Sequence, residues 1–185
     1  HPWGMDFIGT DQVLVTVRGG GLQRVNLADG SAADITGLPR VFARRQGGML
    51  DVMVDGPHVY LCYSADLGGK SSTAIDRARL EGDALVERET IFTGNNPARS
   101  GHHFGCRLQM AGGYLFASIG DHGDRDNAQD PMAHAGSILR LNPDGTVPDD
   151  NPHAAGQADG WAPELYSIGH RNPQGMAVHP QTGEI

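Results

Sequence analysis

Side chains able to do chemistry concentrate in three short segments of this 185-residue chain. The first, residues 100–108 (SGHHFGCRL), holds His102 and His103 between glycines. Imidazole changes charge near neutral pH, so a histidine facing a cavity suits a general base. Adjacent residues of an extended chain point to opposite sides, so these two do not readily chelate one metal. A structural or solvent-exposed histidine is the competing reading. The second segment, residues 120–130 (GDHGDRDNAQD), offers Asp121. A carboxylate that accepts from an imidazole N–H fixes the tautomer and stabilises the imidazolium formed on proton abstraction. Asp124, Asp126, Asn127 and Asp130 carry the oxygen ligands that Ca²⁺ prefers. Lacking the EF-hand spacing and its glycine, they read better as a solvated loop. The third segment, residues 168–175 (IGHRNPQG), sets Arg171, Asn172 and Gln174 between glycines. Such a donor-rich patch suits an anionic, oxygen-rich ligand, because guanidinium is a planar fork for carboxylate or carbonyl oxygens. A turn with exposed polar side chains is the alternative.

Strands must hold these segments, and strand signals recur. Residues 12–17 (QVLVTV), 58–63 (HVYLCY) and 114–119 (YLFASI) are short and apolar. Each follows a turn (Gly9-Thr10-Asp11, Asp55-Gly56-Pro57, Gly112-Gly113) and, before it, another alternating stretch at 5–8, 49–54 or 107–110. The unit is a β-hairpin. A third alternating stretch follows each hairpin, at 22–27, 75–80 and 138–141, and each runs into a glycine turn. Units of this kind, recurring at roughly 45–70 residues, predict an all-β chain built as a β-propeller, with about three blades present. A β-sandwich of irregular hairpins is the competing architecture. A fourth hairpin is expected to begin at residues 175–178 and to turn at Gln181-Thr182-Gly183. Three blades and the start of another do not close a ring. Residues 1–185 are therefore expected to be one partial propeller domain that continues beyond Ile185. All three chemical segments abut hairpin strands, as does residues 44–51 (RRQGGMLD), which contains Gln46. Segments in equivalent blade positions converge on one central mouth. Asp121 leaves the third hairpin at the end where His103 enters it.

The chain has 27 glycines, about twice the usual share of roughly 7%, which implies many tight turns. Hydrophobic residues make up 38% and aromatics 6%, so the core comes from many short apolar stretches. The net charge of −8 repels phosphate backbones and anionic bilayers, so neither nucleic acid nor a membrane surface is an expected partner. No apolar run approaches the ~20 residues of a membrane span. His1-Pro2-Trp3-Gly4-Met5 reads as the inside of a domain, with no charged and apolar leader before it. Cys62 lies in an apolar run and reads as a buried small residue. Together with Cys106 it gives neither a disulfide framework nor metal spacing, and the redox compartment stays open.

The chain resembles the soluble pyrroloquinoline quinone (PQQ)-dependent aldose sugar dehydrogenases, the glucose/sorbosone dehydrogenase family. The resemblance runs through essentially the whole chain. It is carried by residues 1–4 (HPWG), 45–52 (RQGGMLDV), 103–108 (HFGCRL), 120–125 (GDHGDR), 141–145 (LNPDG) and 169–175 (GHRNPQG). It implies a six-bladed propeller with PQQ on its axis, held partly through Ca²⁺, and oxidation of an aldose at C1 to the lactone with electrons passed to an external acceptor. It implies that His103 is the base that takes the C1 hydroxyl proton and that Asp121 orients it. It places Arg171 beside the reactive quinone carbonyl, where negative charge develops during hydride transfer. Asn172 and Gln174 match residues hydrogen-bonded to PQQ, and Gln46 and His102 match positions near the sugar. His102 departs from the acid that glucose-oxidising relatives carry there, and Cys106 stands where Ser or Gly is usual. The family's main Ca²⁺ ligands lie in the half after Ile185, so no metal ligand is expected here and residues 1–185 alone are expected to be inactive. A periplasmic or secreted location is implied. A binding propeller without turnover and a lactonase-type hydrolytic propeller are the alternatives. A base paired with its orienter argues against the first, and the second needs an axial metal with carboxylate ligands.

Overall fold

Alternating side chains and glycine turns account for the strands of the computed structural model, which describes residues 1–156 and 159–185. Blade 1 is β1 (Pro2–Phe7), β2 (Gln12–Val17), β3 (Gly21–Asn26) and β4 (Ala32–Asp34). Blade 2 is β5 (Met49–Asp55), β6 (His58–Asp66), β7 (Ser71–Glu81) and β8 (Ala84–Thr93). Blade 3 is β9 (Leu108–Ala111), β10 (Tyr114–Ile119), β11 (Ser137–Leu141) and β12 (Leu165–Ile168). Each blade is a four-stranded antiparallel meander in chain order, which is the propeller architecture the hairpin pattern predicts. The β9–β10 turn illustrates the local cause. Ala111 pairs with Tyr114, leaving Gly112 and Gly113 at φ +57° and +83°, the two positive values a tight primed turn requires.

The blades stack face to face through β6. Its side chains alternate, so Val59, Leu61 and Tyr63 pack with Leu14 and Leu22 of blade 1. On the other face Tyr60 and Cys62 pack with Leu115, Ile119 and Leu139 of blade 3. Both faces of blade 2 are thus covered by apolar layers.

The structure corrects the sequence reading in three places. Every blade has a fourth strand that the pattern did not suggest. β8 is the longest of these, and half of its ten residues are exposed, four of them in one run, so it carries no clean apolar alternation to detect. The expected fourth hairpin is not formed. Residues 175–178 are not strand, because a strand exists only as a paired ladder and none lies beside them among the described residues. Only the turn appears there, with the His179 N–H donating to Glu184 O at 2.7 Å. Finally, Cys62 is buried but not free. It is disulfide-bonded to Cys106, 44 residues away, which ties the middle of blade 2 to the loop entering blade 3. No helix among the described residues is long and apolar enough to cross a membrane.

Candidate functional site

β2, β6 and β10 end at one face of the stack, where β1, β5 and β9 begin. Four segments meet at this mouth through hydrogen bonds. The Gln46 N–H donates to Gly101 O at 3.0 Å, and the His122 N–H to His103 O at 3.3 Å. The Asp121 N–H donates to Arg171 O at 2.8 Å. The Gly105 N–H donates to Asn172 Oδ1 at 3.1 Å. Gly120 permits the central approach, since a Cβ there would lie 2.1 Å from His103 O. Among the described residues five non-glycine residues have positive φ, and four of them are at the mouth: Arg45, His103, Cys106 and His122. Left-handed backbone costs energy for L-residues and gathers where a site must be held in one shape. His103 itself, at φ +51°, is therefore not on the extended chain that the sequence reading assumed. The two histidines still diverge in their bonding, with ring centres 6.2 Å apart.

His103 and Asp121 form the pair that the hairpin geometry predicts. His103 Nδ1 lies 2.7 Å from Asp121 Oδ1. The carboxylate only accepts, so the proton sits on Nδ1 and the Nε2 lone pair is left for a ligand. Asp121 is 1% exposed, and the same Oδ1 accepts the Gly123 N–H at 2.7 Å. Gln46 lies alongside, with its Oε1 accepting the His103 backbone N–H at 2.8 Å. Its amide nitrogen stays available at the surface. His102 turns away, and its Nε2 is 3.2 Å from Arg45 Nη1.

The segment 171–174 is mounted on blade 3 by one acceptor from each residue. Arg171 O and Asn172 Oδ1 accept as described above. Pro173 O accepts from Ser118 Oγ at 2.7 Å, and Gln174 O accepts from Arg107 Nε at 3.1 Å. The Arg171 guanidinium, the Asn172 amide N–H groups and the Gln174 side chain are left free of this mount. Arg171 lines a groove of about 320 Å³ with His103, Asp121, Arg125 and Asp126. Asp124 and Asp130 are spent on backbone: Asp124 accepts from the Asp126 N–H at 3.3 Å, and Asp130 from the Met132 N–H at 2.9 Å. The two cap a short 3₁₀ helix, Arg125–Gln129, in keeping with the polar-loop reading.

Two supporting groups escaped the sequence reading. Arg107 joins Gln174 to the buried Asp51 of β5, with Nη1 2.9 Å from Asp51 Oδ1. Burial pushes the Asp51 carboxyl up, while the Leu108 N–H and the Arg107 guanidinium pull it down. Only the packing of blade 2 on blade 3 brings these two residues together. The other is His122, 2% exposed and packed edge-on against Phe104 with ring centres 5.3 Å apart. Neither of its ring nitrogens has a partner in hydrogen-bonding geometry. Burial pushes its pKa down to about 4, opposed more weakly by the His102 backbone and the Asp121 carboxylate. In the unfolded chain a histidine titrates near 6.5. The unfolded state therefore binds the extra proton first as pH falls, and stability that is present above about 6.5 is lost toward about 4. In the full-length protein, wild type should lose about 3 kcal/mol more than His122→Phe between pH 7 and pH 4. Urea unfolding at the two pH values measures this, and equal losses would refute it.

Comparison with known proteins finds relatives named as dehydrogenases. The family model described as Glucose / Sorbosone dehydrogenase matches residues 1–185. The chain is 38% identical to the aldose sugar dehydrogenase YliI of Escherichia coli K12 over 196 residues, covering 100% of the chain and 52% of that protein. The crystal structure of the soluble aldose sugar dehydrogenase from Escherichia coli in the apo-form superposes with a TM-score of 0.92 at 36% identity, over 99% of this chain and 55% of that one. The PQQ-bound form of aldose sugar dehydrogenase from Streptomyces coelicolor superposes with a TM-score of 0.74 at 25% identity, over 92% of this chain and 51% of that one. The chain thus spans about half the length of the relatives it matches.

Proposed function

The chain belongs to the glucose/sorbosone dehydrogenase family, and from that premise we propose that it is the N-terminal half of a PQQ-dependent enzyme that oxidises an aldose at C1 to the lactone. The observation that carries this reading is the 2.7 Å His103–Asp121 pair in a groove it shares with Arg171. Binding alone needs no base held by an orienter.

His103 Nε2 takes the proton from the C1 hydroxyl as the C1–H bond breaks and the carbonyl forms. Asp121 holds the imidazole in the required tautomer and stabilises the charge it gains. Gln46 fixes the His103 backbone, and with His102 it borders the sugar. The residues at hand fit PQQ by their chemistry. Arg171 and Arg125 have no carboxylate partner among the ion pairs of the described residues. With the Asn172 amide and Gln174 they present N–H donors to an oxygen-rich anion. PQQ, when bound, supplies the acceptor for the hydride that leaves C1 and passes the electrons to an external acceptor. Arg171 sets positive charge where negative charge accumulates. The Cys62–Cys106 disulfide supports a periplasmic or secreted location, since disulfides persist in oxidising compartments.

Reconstitution tests the proposal. Full-length protein given PQQ and Ca²⁺ should reduce a redox dye with aldoses and release the lactone, while residues 1–185 alone should not. Folded full-length protein that reduces no dye with any aldose, or that hydrolyses lactones without PQQ, would overturn it.

A further inference from the structure

Charge is distributed unevenly over this fold. The chain has thirteen arginines, and seven of them are paired with carboxylates among the described residues. The six without such a partner are Arg18, Arg44, Arg45, Arg99, Arg125 and Arg171. All six lie on segments at the mouth: after β2, on the entries to β5 and β9, after β10 and after β12. Acidic side chains outnumber basic ones by 22 to 14, so a shortage of carboxylates does not explain the unpaired set. Guanidinium groups gathered at one mouth without an ion-pair partner among the described residues suit an external anion.

Arg125 and Arg171 share the groove with Asp121 and Asp126 and face the cofactor side. The sugar side is different. The Arg45 stem lies over Gly101, within 3.1 Å of where a Cβ there would sit. Its guanidinium reaches His102 Nε2 at 3.2 Å. Arg18 Nη1 donates to Arg45 O from below. Arg45 is thus held in place by backbone and ring contacts, while its charge meets no carboxylate among the described residues. The His102 ring that Arg45 touches has its centre 6.2 Å from that of His103, so the unpaired charge and the base border one mouth.

We propose that the sugar side of the mouth selects an aldose bearing an anionic group, carboxylate or phosphate, at the end remote from C1, with Arg45 as the specificity-determining residue. This deepens the dehydrogenase reading and rests on it. With C1 at His103 Nε2, the remote anion meets the Arg45 guanidinium in charge-assisted hydrogen bonds.

The test uses full-length protein reconstituted with PQQ and Ca²⁺. D-galacturonate is compared with D-galactose, and D-glucose 6-phosphate with D-glucose. At low salt, kcat/KM for at least one charged sugar should exceed that of its neutral parent by roughly 10-fold. The advantage should shrink as salt is raised, and Arg45→Gln should narrow the charged-to-neutral ratio. Whichever arm shows the preference identifies the anion. Equal kcat/KM values in both pairs, or a ratio untouched by Arg45→Gln, would overturn the proposal while leaving the dehydrogenase reading standing. Should no sugar be oxidised, that reading fails, and calorimetric titration with the same two anionic sugars decides this one. Heat of binding that Arg45→Gln abolishes supports the anion seat. No heat with either sugar overturns it.

Discussion

Replacing His103 by alanine in the full-length protein is expected to lower kcat with aldoses by about 10²- to 10⁴-fold, the usual worth of a positioned general base. KM should change far less, because the imidazole meets one hydroxyl while the rest of the sugar is held elsewhere. His103 sits at the lip of the mouth, with its side chain 18% exposed, so truncation leaves no buried cavity and the fold should hold. A small diffusible base such as imidazole should restore part of the rate to His103→Ala. Asp121→Asn should lose rate on a similar scale for a different reason. Asp121 Oδ1 accepts from both His103 Nδ1 and the Gly123 N–H. Both bonds fall on that one oxygen, so an asparagine oxygen there can keep both contacts but brings no negative charge to stabilise the imidazolium formed on proton abstraction. Imidazole should therefore rescue His103→Ala better than Asp121→Asn. A His103→Ala enzyme that keeps more than about a tenth of wild-type kcat would remove His103 from the role of base.

The second large effect is on stability. Replacing Cys62 and Cys106 together by alanine should destabilise the fold by about 4 kcal/mol, from the loop-closure entropy of a 44-residue separation. Both positions are buried in the layer between blades 2 and 3, so alanine adds no polar group there. The bond also anchors the site. Cys106 follows His103 by three residues, and its N–H donates to Ser118 O at 2.7 Å. Loosening it frees the loop that presents the base, so kcat should fall as well. Urea midpoints of wild type with and without reductant, and of the double variant, measure this. Reduced wild type should match the variant, and reductant should leave the variant unmoved. A difference below about 1 kcal/mol between oxidised wild type and variant would show that the crosslink contributes little to stability.

Why some of this was legible in the sequence, and some not, follows from how far each feature reaches. The inner three strands of each blade were visible because alternation and a glycine turn are local signals. The outermost strands were not. β4 has three residues, and β8 is interrupted by a run of four exposed residues, so neither writes a regular apolar pattern. The His103–Asp121 pair was predictable because the two residues flank one hairpin, whose register pairs Leu108 with Ala117. The Cys62–Cys106 bond, the Asp51–Arg107 pair and the bond from His103 to Gln46 all cross from blade 2 to blade 3. Spacing along the chain carries no information about such meetings. Only the stacking of one sheet on the next creates them. His122 escaped for the opposite reason, since burial of an unpartnered imidazole breaks the rule that polar groups find partners, and no pattern announces it.

The mount of residues 171–174 bears on how this wall of the site can change over generations. Arg171, Pro173 and Gln174 are attached through main-chain carbonyls, which every amino acid possesses. Their side chains can be exchanged without detaching the segment, so selection, or a mutagenic library, can explore new chemistry there at little structural risk. Asn172 is the exception, because its own Oδ1 forms the attachment. The segment behaves as a tool rail with one fixed bolt: the mounting constrains the side chain at position 172 alone, and what holds Arg171 and Gln174 to their identities is the chemistry they perform.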